Sequence, residues 1–302
     1  MDDFRRYLDP KTLNKVSGLD LKARLIVEGF LSGMHKSPYK GSSVEFREHR
    51  EYVAGDDIRF VDWKVYGKSD RFYIKEYEEE TNLKAYVVVD SSKSMAFTSE
   101  EVTKLEYAKF VAASLVHLIS QQQDAVALVA WDEELRTFLP PGNNPLHVKN
   151  IYSSLAALEP DGKTDTGRLM QDLAERLRQK SLVMILSDLF DSERSGLMRG
   201  LKQLRHRGHD VIVFHVLDDA EINFPFERMT MFEGLEQMPE LLADPRSLRE
   251  AYLAEIKEFR DTVRKGCLGQ RVDYVELVNN EPLDVALSSY IAARAARAKR
   301  FK

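Results

Sequence analysis

The chain has 302 residues, a net charge of −5 and 43% hydrophobic residues, enough for one large or two modest domains with a sizeable core. That balance excludes a general nucleic-acid binder, which would be strongly basic. The single cysteine, Cys267, excludes an intrachain disulfide framework and fits a reducing compartment.

The first 83 residues differ in pattern from the rest. A helix is expected near 19–31, then a turn-rich loop over 36–43 with Pro38 and Gly41. Three strand-like runs follow, at 44–52, 58–66 and 71–77. The second places Val61, Trp63 and Val65 on one face and Asp62 and Lys64 on the other. This predicts a small antiparallel extension over 1–83, sharing a sheet with a hairpin further along the chain.

From Lys84 onward strands and helices alternate. Strand 84–90 leads to a helix near 101–122 with Ala108, Val111, Leu115 and Ile119 on one stripe. Strand 125–131 is followed by a short strand at 135–139, which Pro140-Pro141-Gly142 should end. Helices near 145–157 and 166–179 precede strand 181–187. A helix near 193–206, stopping at Gly208, feeds strand 210–217. Segment 222–245, with Phe224, Phe226, Met229, Met231 and Phe232, reads as an inserted hairpin. A helix near 246–265, strand 271–277 and a last helix from about Pro282 complete the chain. Such alternation predicts a doubly wound α/β fold over 84–302 with a mostly parallel sheet. No run reaches the ~18 apolar residues of a membrane span, and no apolar signal core follows Asp2, Asp3, Arg5 and Arg6. The expected location is the cytoplasm, with any membrane recruitment through a partner.

The segment Leu83 to Met95, LKAYVVVDSSKSM, carries the main chemical signal. A buried parallel strand ends on Asp90, and hydroxyls follow at alternate positions, Ser92 and Ser94. Ligands of open parallel sheets collect beyond the carboxyl ends of the strands. One carboxylate and two hydroxyls there form a hard-oxygen set suited to Mg²⁺, which keeps several of its waters. Asp161-Gly162-Lys163-Thr164-Asp165 precedes an amphipathic helix, and strand 181–187 ends on Asp188. Three loops in the order DxSxS, T-D and strand-Asp resemble the metal-ion-dependent adhesion site of von Willebrand factor A domains. That resemblance implies a Rossmann-type fold and a divalent cation, Mg²⁺ with Mn²⁺ or Ca²⁺ as substitutes. Asp90, Ser92, Ser94, Thr164 and Asp188 would hold it, some of them through water. The local alternative is that Thr164 and Asp188 cap helices. Lys163 departs from the pattern, standing where such loops carry Gly.

A second cluster precedes the metal motif: Arg47, Glu48, His49 and Arg50, then Gly55-Asp56-Asp57-Ile58-Arg59, then Asp62-Trp63-Lys64. Together with DxSxSM it resembles the bacterial domain-of-unknown-function family fifty-eight over nearly the whole chain. Proteins of that family are often encoded beside MoxR-type AAA+ ATPases, which implies such an ATPase or its client as partner. Read from the residues alone, Gly55-Asp56-Asp57 is a turn and Arg59 a carboxylate partner. The same charges are equally candidates for a docking face, with Arg47, Arg50, Asp56, Asp57 and Arg59 as partner-binding residues.

Other motifs point away from catalysis. His206 and His209 have a three-residue spacing, but Gly208 falls between them, and the sequence holds no HExxH, G-x-S-x-G elbow or Walker A loop. The basic last helix, with Arg294, Arg297, Lys299, Arg300 and Lys302, suits the negative end of a helix dipole. The expectation is a metal-dependent protein-interaction module and not an enzyme. A Mg²⁺-dependent hydrolase or phosphoesterase is the alternative.

Overall fold

The computed structural model describes residues 9–35, 49–51, 73–75, 83–163, 166–190, 194–232 and 241–300. The chain forms two compact units, one of Met1–Gly33 with Leu83–Lys302 and one of Met34–Asn82. In the smaller unit β1 (His49–Glu51) and β2 (Tyr73–Lys75) pair antiparallel. The expected strand at 58–66, with Trp63, lies outside the described residues.

The larger unit opens with α1 (Pro10–Asn14), capped by the Asp9 carboxylate, and α2 (Leu19–His35). Helix α2 buries Ala23, Ile26, Val27 and Phe30. Then come β3 (Lys84–Asp90), a 3₁₀ turn (Lys93–Ala96), α3 (Lys104–Gln121), β4 (Ala125–Trp131) and β5 (Leu135–Gly142). Next are α4 (Pro145–Ala156), α5 (Thr166–Arg176), β6 (Leu182–Ser187), α6 (Arg194–His206) and β7 (Asp210–Leu217). After α7 (Asp219–Asn223) come β8 (Thr230–Phe232), β9 (Leu241–Ala243), α8 (Pro245–Gly269), β10 (Asp273–Val278) and α9 (Asp284–Arg300).

Six strands form one sheet in the order β10-β7-β6-β3-β4-β5, parallel except for β5. The central strands are buried on both faces, which is why they read as continuous apolar runs. Tyr86, Val88, Val129, Val183, Ile185 and Val213 share one core with Leu169 and Leu173 of α5, Leu201 of α6 and Phe259 of α8. On the other face α3 packs across β3, β4, β6 and β7, with α4 and α9 beside it. The fold is the doubly wound α/β class the alternation predicts.

One expectation needs correction. Strand β5 does not stop at Leu139 but continues through Pro140 and Pro141 to Gly142. It lies at the sheet edge, where a missing N–H costs no ladder bond. The hairpin β8–β9 is a two-stranded sheet pairing Phe232 with Leu241. Phe232 joins an aromatic cluster. Phe232 stacks on Phe224 at 5.8 Å between centroids, and Phe224 meets Tyr252 of α8 at 4.6 Å.

Strand order places the functional crevice. From β3 the chain moves outward to β4 and β5, then returns to the other side of β3 for β6 and continues outward to β7 and β10. The direction reverses between β3 and β6, so their carboxyl ends, Asp90 and Ser187-Asp188, flank a topological switch point.

Candidate functional site

Asp90 ends β3 and is fully buried. Its Oδ1 accepts the Ser92 N–H at 2.9 Å, an Asx turn that bends the chain out of the strand. Its Oδ2 accepts the Ser187 hydroxyl from the end of β6 at 2.5 Å. Ser92 is fully buried, and its Oγ lies 3.0 Å from Ser94 Oγ in the 3₁₀ turn. The neighbouring Ser91 donates N–H and hydroxyl to the Trp131 carbonyl at 2.7 and 2.9 Å, fixing the loop on β4. One carboxylate and two hydroxyls are thus gathered in a buried turn, as hard donors suited to Mg²⁺ or Ca²⁺.

The second predicted loop is fastened to the first. Asp161 N–H donates to the Ser91 carbonyl at 2.9 Å and Lys93 N–H to the Gly162 carbonyl at 3.1 Å. Gly162 has φ of +66°, and a Cβ there would meet Asp132 Cγ at 3.1 Å, so the turn requires glycine. Lys163 is exposed, its N–H bonded to Glu133 at 3.1 Å. Thr164, the next residue, lies outside the described residues, as do Asp165 and Asp191.

Asp188, directly after β6, is fully buried, and its Oδ1 accepts the Phe190 N–H at 3.2 Å. Its Oδ2 is taken by a lysine. Lys104, the first residue of α3 and 1% exposed, places Nζ 2.8 Å from Asp188 Oδ2 and 2.6 Å from Glu221 Oε1 of α7. Phe97 and Phe190 flank the ammonium at 5.8 and 5.5 Å from their ring centroids. Among the predicted ligands, then, Asp90, Ser92 and Ser94 present one set of oxygens, while Asp188 adjoins them with one oxygen held in an ion pair.

The electrostatics follow from this packing. Burial, and next the charge of Asp188, push the Asp90 carboxyl up to about 7, against hydrogen bonds from Ser187 and Ser92. Burial opposes the charge on Lys104, but Asp188 and Glu221 more than offset it and the ammonium is held above its ordinary range. Burial raises Glu221 despite that partner. His215 of β7 donates Nε2–H to the Asp188 carbonyl at 2.9 Å, and its Nδ1 lies 2.6 Å from Tyr274 Oη. Burial pulls its pKa down to about 4. A neutral imidazole with both nitrogens engaged braces the backbone at Asp188.

Sequence reasoning passed over Lys104, Ser187, His215 and Glu221. Two left a signal. Lys104 continues the apolar stripe of Ala108 and Val111 back by one turn, and a cation in a helix's first turn opposes the macrodipole. Asp218 and Glu221 have capping-box spacing, and both reciprocal bonds form. Of the partner-binding candidates only Arg50 is described, its backbone in β1 opposite Ile74 of β2; Arg47, Asp56, Asp57 and Arg59 lie outside the described residues.

A mostly parallel sheet wound on both faces, with a DxSxS turn at its switch point, defines a doubly wound α/β protein. Residues 48–262 match the family described as "Protein of unknown function DUF58", and the chain belongs to that family. The uncharacterized protein Rv1480 of Mycobacterium tuberculosis is 23% identical over 291 residues, covering 95% of this chain and 90% of that protein. Among solved structures, conserved hypothetical protein BatB from Bacteroides thetaiotaomicron aligns with a TM-score of 0.50 at 16% identity, over 72% of this chain and 99% of that one. A von Willebrand factor type A protein from Catenulispora acidiphila aligns with a TM-score of 0.36 at 15% identity, over 58% of this chain and 42% of that one. No described helix is long and apolar enough to cross a membrane.

Proposed function

We propose that this chain is a metal-dependent protein-interaction module in which Asp90, Ser92 and Ser94, with Thr164, hold a Mg²⁺-type cation at the β3–β6 switch point. The observation that carries this reading is the buried set itself. Asp90 is fully enclosed, with the Ser92 N–H and the Ser187 hydroxyl on its carboxylate, beside a second buried carboxylate and two hydroxyl oxygens 3.0 Å apart. Asp188 has the Lys104 ammonium, but Asp90 has no cationic partner among the described residues, and a buried carboxylate without one is costly. A bound divalent ion would supply an electrophilic position open to a carboxylate from a partner's Asp or Glu. Asp90 anchors one side of that position, the serine hydroxyls complete it without adding charge, and the pinned Asp161–Lys163 loop borders it.

The partner implied by the family resemblance is a MoxR-type AAA+ ATPase or its client, met in the cytoplasm, and the buried thiol of Cys267 is compatible with that compartment. Titration of a purified MoxR-type ATPase against the wild type and Asp90→Asn, with Mg²⁺ present throughout, tests the reading. Keeping Mg²⁺ constant leaves the ATPase's own nucleotide site loaded. Binding to the wild type and loss in the variant are expected; equal affinity for both would move the interface away from this crevice.

A further inference from the structure

An ammonium already occupies part of the crevice. Lys104 is 1% exposed and bonds two carboxylates, Asp188 at 2.8 Å and Glu221 at 2.6 Å. Its place is unfavourable on two counts. Burial penalises its charge, and the first turn of α3 points a positive dipole end at it. A lysine kept against both penalties has its charge used locally. The charge falls on Asp188, at the end of the strand beside Asp90.

We propose that Lys104 is the built-in counter-cation of the crevice. Its ammonium is shared between Asp188 and Glu221 and withholds Asp188 from direct ligation of a metal. Asp90 is then the only charged first ligand among the described residues, and a bound divalent ion keeps an uncancelled positive charge for an acidic partner. This rests on the metal-site reading above and deepens it. Lys104 makes the site weaker for the metal alone and more receptive to an added carboxylate. In cation sites, affinity rises with the number of charged ligands.

The test removes the lysine without leaving an excess of buried charge. In Lys104→Met/Glu221→Gln one cation and one anion disappear together. The methionine fills the space of the lysine stem, and the glutamine oxygen still accepts the Asp218 N–H that Glu221 Oε2 accepts at 2.8 Å. Calorimetric Mg²⁺ titration of the full chain is compared for the wild type, this double variant, and a triple variant that adds Asp188→Asn. Thermal denaturation with and without Mg²⁺ is run on all three. We expect the double variant to bind Mg²⁺ about tenfold or more tightly than the wild type, and the triple variant to lose the gain. The Mg²⁺-induced rise in melting temperature should follow the same order. Equal or weaker binding by the double variant overturns the proposal. A wild type that binds no Mg²⁺ beside a double variant that does, through Asp188, supports the lysine's role while refuting the metal-module reading. Absence of binding in all three refutes both.

Discussion

Two buried aspartates, both at strand ends and both fully enclosed, have different surroundings in this fold. Asp218, after β7, accepts four hydrogen bonds: Ser99 Oγ at 2.5 Å and Ala220 N at 2.8 Å on Oδ1, Ser99 N at 2.9 Å and Asn279 Nδ2 at 2.7 Å on Oδ2. It staples the loop after the 3₁₀ turn to the ends of β7 and β10. Asp90, at the end of β3, accepts from Ser92 N and Ser187 Oγ, and a second carboxylate stands beside it. A buried carboxylate surrounded by donors is part of the frame; one beside a second acid is, on the proposed reading, the one that a cation would serve.

The largest effect should come from unbalancing the crevice. Lys104→Met alone leaves Asp188 and Glu221 facing one another without their cation, and is expected to cost about 3–5 kcal/mol in urea denaturation. A loss under about 1 kcal/mol would mean the ammonium contributes little to the buried cluster. Asp218→Ala strips the staple, stranding the Ala220 N–H and the Asn279 amide. It should cost about 3 kcal/mol, with a deficit that Mg²⁺ does not repair. Recovery of its stability on adding Mg²⁺ would erase the distinction between the two aspartates.

The third expectation concerns pH in the metal-free protein. The Asp90 carboxyl lies at about 7 in the fold against a reference of 3.8. Its stabilising contribution is therefore full below pH ~4 and lost as pH rises through about 7. His215 lies at about 4 against a reference of 6.5, so its contribution is full above pH ~6.5 and lost as pH falls through about 4. The two oppose one another over the same window. Asp90→Asn removes one of them, so stability in chelator should climb with pH between about 4 and 6.5 more steeply than in the wild type. Denaturation midpoints at several pH values check this; parallel profiles would contradict it.

The smallest effect on folding is expected at Ser94. Its hydroxyl bonds only Ser92 Oγ among the contacts described, at 3.0 Å. Ser94→Ala should change stability by less than about 1 kcal/mol while weakening Mg²⁺ binding. Unfolding and metal titration on one preparation would separate the two quantities, and an unaltered metal affinity would remove Ser94 from the site.

The strands were legible because burial on both faces leaves a simple mark. Ala85–Val89 and Val126–Trp131 are uninterrupted apolar runs, Val211–Leu217 is broken only by His215, and the structure has strands at all three. The DxSxS turn was legible for a related reason, since short-range geometry puts Asp90, Ser92 and Ser94 in one turn wherever the strand ends. Lys104, Ser187 and His215 were not. They meet Asp188 and Asp90 across sequence separations of 84, 97 and 27 residues. No local period encodes which helix end will deliver a lysine to which strand end. Pro140 and Pro141 misled because a proline pair marks a break only where N–H groups are needed, and an edge strand needs half of them.

The central claim is that Asp90 serves a cation and not the frame. Calorimetric titration of Mg²⁺ into the full chain, wild type against Asp90→Asn, tests it most directly. The account predicts one binding event in the wild type and none in a variant that melts within a few degrees of it. Equal Mg²⁺ binding by both proteins, or loss of the fold in the variant, would contradict it and return Asp90 to the same structural class as Asp218.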